Sequence, residues 1–338
     1  MHTTTSEEIT IQNPPTVPGL RFRHFRGEAD LPSFVEVING TREADELERI
    51  FTLEQIVNTY RHLERCDPQQ DMLLAEVQGR LIAYSRVTWN QLEDGDRVYS
   101  TFGYLLPEWR RKGIGRTMLA WTEERLSQLA AGHDHKVKKY LQVEAMETQV
   151  GAVALYQASA YQPVRFEFFM SRPISDPIPE APMPAGLEVR PVQPDHHRPI
   201  WDAMQEAFRD HWGFSSQGEQ TFEAWQGESS FQPELFKVAW AGDQVAGMVL
   251  NFIDHVENEE RGCQRGYTEG ISVRRPWRKI GLARSLIAQS IHMFKEMGMT
   301  ETALGVDSQN LSGALRLYQG MGYCKYKQAT IYRKELVV

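Results

Sequence analysis

The sequence has little cysteine. Three thiols, Cys66, Cys263 and Cys324, stand far apart in 338 residues. The number is odd and no CxxC pair occurs. Neither a disulfide framework nor a zinc cluster is expected, no metal site is read from the chain, and a reducing cytoplasm is the expected compartment. Positive charge is also in deficit, with 37 Lys and Arg against 45 Asp and Glu and a formal net charge of −8. General nucleic-acid binding needs a basic face and is not expected. No apolar run reaches the ~18 residues that suggest a membrane span. The opening "MHTTTSEEITIQNPPTVPG" has neither the basic nor the apolar region of a secretory signal, and residues 1–18 read as a polar tail. The Walker loop GxxxxGK[ST] is missing, and so is the third Gly of a GxGxxG fingerprint.

What the chain does have is a repeat. "LPEWRRKGIGRTML" from Leu106 returns in "RRPWRKIGLARSLI" from Arg274. Trp109 and Trp277 lie 168 positions apart, as do Gly113 and Gly281. Upstream, "GLRFRHF" at Gly19 is echoed by "GLEVRPV" at Gly186. Downstream, "ALYQASAY" matches "RLYQGMGY", which pairs Tyr156 with Tyr318 and Tyr161 with Tyr323. Anchors in one order at nearly one offset describe a duplicated domain. The length suits two cores. A Pro-rich stretch over residues 173–186 reads as a stiff linker, which places the domains at 19–172 and 187–338.

Each half reads as mixed α/β. In the second, "LFKVAWAGDQVAGMVLNFID" forms a hairpin turning at Gly242-Asp243. Strand "YTEGISV" leads into a helix whose stripe is Leu282, Leu286, Ile287, Ile291, Phe294 and Met297. "TALGVD" is a strand, "LSGALRLYQGMG" a helix and "KQATIYRKEL" a closing strand.

The repeated phrase is a strand, a basic turn, a Gly-x-small step and a long helix. Backbone N–H groups at a helix start lack intrahelical partners, and the dipole makes that end positive. Gly113 with Gly115, and Gly281 with Ala283, let a ligand approach the backbone. Arg110, Arg111, Lys112 and Arg116 add charge to one copy, and Arg278, Lys279 and Arg284 to the other. Such a junction cradles a pyrophosphate.

RxxGx[GA] after a strand resembles motif A of the GNAT superfamily of acyl-CoA N-acyltransferases. Arg110-Arg111-Lys112-Gly113-Ile114-Gly115 and Arg278-Lys279-Ile280-Gly281-Leu282-Ala283 both fit. The tandem layout is similar to that of mycothiol synthase. The resemblance implies two tandem GNAT-like α/β (α+β) domains, each a mixed, mostly antiparallel splayed sheet flanked by helices. It implies acetyl-CoA as co-substrate, with the pyrophosphate on the motif A amides. The pantetheine arm would lie along Ile271, Ser272 and Val273, or along Tyr104, Leu105 and Leu106.

The resemblance also implies that Tyr318, and Tyr156 in the first half, protonate the leaving thiolate; the alternative role is aromatic packing. Asn310 would bond the cofactor arm or cap a helix. Glu269, nine residues before Arg278, is the candidate base, and its alternative is a solvated or paired carboxylate. Thr101 stands at the aligned position. For the acceptor, Asp210, His211, Trp212 and Phe214 offer an aromatic wall with acidic and imidazole groups. The reading is an N-acetyltransferase acting by direct attack on a primary amine of a small molecule, with the second half the better candidate for catalysis. Its rival is an acetyl-CoA-binding module without turnover in one or both halves. Oligomeric state is left open.

Overall fold

Alternation and helical stripes along the chain resolve into twelve strands and ten α-helices among the described residues, 8–310 and 312–337 of a computed structural model. The first seven residues of the expected tail lie outside them. The first repeat runs β1 (Leu20–Arg23), α1 (Leu31–Asn39), α2 (Arg42–Asp45), α3 (Leu53–Arg61), β2 (Met72–Val77), β3 (Arg80–Gln91), β4 (Arg97–Leu105), α4 (Ile114–Ala131), β5 (Lys139–Met146), α5 (Val150–Ala158) and β6 (Gln162–Pro173). The second runs β7 (Glu188–Arg190), α6 (His197–Phe208), α7 (Glu219–Gln226), β8 (Lys237–Ala241), β9 (Gln244–Phe252), α8 (His255–Arg261), β10 (Arg265–Val273), α9 (Leu282–Glu296), β11 (Glu301–Asp307), α10 (Ala314–Gly320) and β12 (Cys324–Glu335). No helix among the described residues is long and apolar enough to cross a membrane.

Two compact units emerge, and each borrows an end of chain from the other repeat. The first is Met1–Val164 with Thr330–Val338; the second is Arg165–Ala329. Strand pairing gives the reason. β6 pairs antiparallel with β11 from Glu301↔Pro173 to Asp307↔Glu167, so the strand that closes the first repeat in sequence serves the second unit. The chain end serves the first, where Leu336 N–H bonds Lys139 O at 2.9 Å and Arg333 Nε bonds Gln142 Oε1 at 2.9 Å. These limits differ from the sequence-drawn domains at both closing strands.

In the first unit β1 to β5 are laid side by side in chain order. The core packs Phe34 of α1 with Leu74, Ile82 and Tyr84, and Leu126 of α4 with Tyr99 and Leu141. In the second unit the order is β6-β11-β10-β9-β8-β7. The stripe of α9 buries Leu282, Leu286, Ile287, Ile291 and Phe294 against the sheet. The tail from residue 8 is not simply solvated. Ile9 N–H bonds Phe22 O at 2.8 Å, and Ile9, Ile11 and Val17 pack on the first core.

Candidate active site

In each unit the central pair of strands is parallel at one end only. β10 follows β11 from Arg265↔Glu301 to Tyr267↔Ala303 and then leaves it. On its other side β10 stays on β9 but slips register between Glu269 and Ser272. Gly270, at φ 56°, permits the bulge, because a Cβ there would stand 2.9 Å from the Leu250 side chain. Beyond the slip, Ile271, Ser272 and Val273 form an edge with no sheet partner toward β11 among the described residues, suited to an extended amide-bearing arm.

Glu269 lies at the opening. Its Oε1 accepts the Gly305 N–H at 2.9 Å. Removal from water pushes its carboxyl up to about 8; the Gly305 bond opposes the rise and the charge of Glu167 adds to it. A carboxyl so placed takes a proton near neutral pH. Tyr318, on α10, is buried with its ring 6.4 Å from that of Tyr323. Burial, then the Glu269 charge, raises its pKa, so the phenol stays protonated and able to donate. Tyr323 is held by Thr268, hydroxyl to hydroxyl at 3.0 Å.

The two motif loops share a backbone. A 3-10 turn, Pro107–Trp109 or Arg275–Trp277, leads to Arg111 or Lys279 in the left-handed region, at φ 62° and 64°. Two residues on, Gly113 and Gly281 are left-handed again, at φ 88° and 91°, and start α4 and α9. Coiling of this kind turns successive N–H groups into one concavity at a helix head, which suits an anion. The first arginine of each motif braces the loop with its side chain. Arg278 donates from Nε to Val273 O at 2.9 Å, from Nη1 to Asp210 at 2.6 Å and from Nη2 to Ala207 O at 3.0 Å. Arg110 donates to Leu105 O at 3.1 Å and to both Asp45 oxygens at 2.7 and 2.8 Å. The backbone N–H groups of Arg110 and Arg278 are used within the turn, on Pro107 O at 3.1 Å and Arg275 O at 3.3 Å, which leaves those of Lys279 to Arg284 and Arg111 to Arg116 as the candidate anion donors. Lys279, Ile280, Gly281 and Arg284 are exposed, Ala283 is half-buried and Leu282 is core. Arg284 also donates to Gly320 O at 3.2 Å.

The copies differ at the ligand side. The space a Cβ would take at Gly281 is open. At Gly113 the same point lies 3.3 Å from Pro15 Cβ, so the N-terminal segment covers that loop. Thr16, Val17 and Pro18 line a cavity together with Trp109 and Lys112, whose ammonium sits 4.5 Å above the Trp109 ring. The second loop is thus open at the point where the first has Pro15 against it.

The first unit also lacks the bulge. β4 and β3 keep register from Ala83↔Leu105 to Gln91↔Arg97, and Thr101 is buried in that ladder. β4 leaves β5 after Ser100↔Gln142. Tyr104 and Leu105 continue β4, and Leu106 is buried. Tyr156 on α5 has its ring 6.0 Å from Tyr161, which repeats the Tyr318–Tyr323 pair, and burial pushes its phenol up to about 12. The charge of Glu144, from β5, acts on both Tyr156 and Tyr104. Solvent reaches Glu144, yet the protein around it strips enough hydration to raise its pKa. Sequence reading passed over Glu144; its only signal was a carboxylate in the strand "KYLQVEAM".

The expected acceptor residues fall in the loop between α6 and α7. Asp210 joins Arg275 and Arg278, which hold its carboxyl well below the usual carboxylate range. It fastens this loop to motif A. Burial lowers the His211 pKa from its ordinary value, and its Nε2 lies 3.5 Å from Asn310 Nδ2. Asn310 Oδ1 accepts the Ser312 N–H at 2.7 Å, a turn-forming bond ahead of α10. Trp212 lies under the Arg165 guanidinium at 5.2 Å, and Arg165 bonds Asp307 at 2.6 Å. Phe214 N–H bonds His211 O at 3.2 Å. His211, Trp212 and Asn310 thus meet near the end of β11, with Arg165 among them.

A splayed parallel pair, a bulged strand carrying a carboxyl and an amide-lined loop at a helix head define an acyl-CoA-dependent transferase. The acetyltransferase (GNAT) family profile matches residues 38–161 and 198–323. A mycothiol acetyltransferase of Streptomyces bingchenggensis is 29% identical over 275 residues, 78% of this chain and 80% of that protein. One of Geodermatophilus obscurus is 25% identical over 270 residues, 78% of this chain and 82% of that protein. A GCN5-related N-acetyltransferase structure from Sphaerobacter thermophilus shares the fold at a TM-score of 0.69, with 24% identity over 95% of this chain and 97% of that one. The chain belongs to the acetyltransferase (GNAT) family, in tandem form, and its activity class is acetyl-CoA-dependent N-acetyl transfer.

Proposed function

We propose that the second unit transfers acetyl from acetyl-CoA to a primary amine of a small molecule by direct attack, and that the first unit does not turn over. The observation that carries this reading is the gap between β10 and β11. There, one bulged strand holds Glu269 at a pKa near 8, and Tyr318 stands protonated. Bound acetyl-CoA supplies the thioester. An acceptor amine with pKa about 10 arrives as an ammonium ion and must lose a proton; Glu269 takes it. Tyr318 gives a proton to the departing thiolate. Gly281 and its neighbours hold the pyrophosphate, and Ile271 to Val273 orient the arm. The in-register β4, Thr101 in place of a carboxylate and Pro15 over Gly113 support a first unit without catalysis. The curated relatives, named mycothiol acetyltransferases, support a small-molecule acceptor. The acidic net charge favours a cationic one.

The test is release of CoA thiol from acetyl-CoA against aminoglycosides, polyamines, amino sugars, amino acids and Lys-bearing peptides. One acceptor class gives turnover, and Tyr318→Phe lowers its kcat roughly a hundredfold, since general acid catalysis contributes about that much or more. Unchanged kcat in that variant removes the acid role. Acetyl-CoA binding without release across the panel favours the binding-module reading.

A further inference from the structure

The second unit's gap contains a carboxylate that the second repeat does not encode. Glu167 lies on β6, which follows the first repeat in sequence but pairs with β11 in the second unit, Glu167 opposite Asp307. Its Oε1 stands 3.0 Å from the point a Cβ would occupy on Gly305. Glu269 Oε1 stands 3.7 Å from the same point and accepts the N–H of the same glycine. A Cβ at this position would crowd the Glu167 carboxylate, so the glycine gives the two carboxylates room. Arg165, on the same strand face two positions away, is joined to Asp307 and stacked on Trp212. β6 thereby contributes to both the gap and the cluster at the end of β11.

We propose that Glu167 is the positioning and specificity carboxylate of the acceptor site: it holds a cationic amine beside Glu269 and keeps that base strongly basic. This rests on the reading of Glu269 as base. Two adjacent carboxylates disfavour a second negative charge, so Glu167 raises the proton affinity of Glu269. An incoming ammonium offsets the repulsion, lets Glu269 ionise and accept the amine's proton. The groups around Glu269 are Glu167 from β6, the Gly305 N–H from β11, Tyr318 from α10 and Tyr323 at the head of β12. Among these, Glu167 is the one that adds negative charge when the tyrosines are neutral. The acceptor class that fits is an ammonium without a neighbouring carboxylate, such as an amino sugar or polyamine. An α-amino acid would bring a third negative charge to the pair.

The test needs no turnover. Infrared difference spectra of the full chain over a pH series report the protonated carboxyl of Glu269, assigned by its loss in Glu269→Gln. In wild type the midpoint lies near 8. In Glu167→Gln it falls while staying above the ordinary carboxylate range, since burial sustains most of the rise and the Glu167 charge the smaller part. Glucosamine, as probe, lowers the wild-type midpoint and moves that of Glu167→Gln less; glycine moves neither. Glu167→Asp keeps the raised midpoint and serves if the Gln variant does not fold. A raised wild-type midpoint that both variants retain at the same pH overturns the role of Glu167. A wild-type midpoint in the ordinary carboxylate range overturns the base reading of Glu269 itself.

Discussion

Glu269 is half-buried and bonded by one backbone N–H, the surrounding protein strips much of its hydration, and its stability signature follows from that. Its ordinary carboxyl value is 4.5, against about 8 in the folded chain. Below pH 4.5 both folded and unfolded chains carry the proton and folding bears no penalty. Between 4.5 and 8 the unfolded chain ionises first, so stability falls as pH rises, and above 8 the penalty is complete. Glu269→Gln keeps a carbonyl to accept from Gly305 and removes the ionisation. Its melting temperature therefore exceeds that of wild type by a margin that grows from pH 5 to pH 8, in paired thermal scans. A margin independent of pH contradicts the raised carboxyl. The residue was legible as a carboxylate nine positions before the motif arginine. That it bonds Gly305 was not legible, because the bulge at Gly270 and the departure of β11 together aim it.

Motif A is an element whose backbone the sequence specifies twice. Trp-Arg, Gly and a small residue recur because the loop needs two left-handed positions and a helix start, and local chemistry sets both. Pro15 was not legible as its cover. A segment rich in polar residues reads as tail, whereas the Ile9–Phe22 backbone bond and the packed positions of Ile9, Ile11 and Val17 hold it against the first unit. The expected consequence is one acetyl-CoA per wild-type chain by titration calorimetry, bound at the second loop. Deleting residues 1–17 uncovers the first loop, and the stoichiometry rises toward two. A deletion variant that still binds one shows that the missing bulge, rather than the strap, disables the first loop. Asp210 is a similar lesson in the other direction. Its sequence neighbours suggested an amine pocket, whereas Arg275 and Arg278, 65 and 68 positions away, engage it as a fastener.

For the whole molecule, repeat and folding unit are not the same length of chain. A fragment of residues 187–338 contains the second repeat but lacks the strand that pairs with β11 over seven positions, along with Arg165 and Glu167. It also carries a chain end whose partners, Lys139 and Gln142, belong to the first unit. An exposed edge on β11 invites aggregation. The fragment is expected to be poorly soluble and without CoA release, while the full chain is soluble and active; a soluble, active 187–338 fragment removes the requirement for β6. The sequence by itself determined the duplication, the order of elements, both amide-lined loops and the paired tyrosines, since these follow from local backbone preference and from periodicity within some twenty residues. Tertiary structure alone decided which strand closes which unit, which loop is covered and which carboxylate faces Glu269. Those outcomes depend on contacts between segments roughly 100 to 200 positions apart, and a β-strand's pattern of alternation does not name its partner.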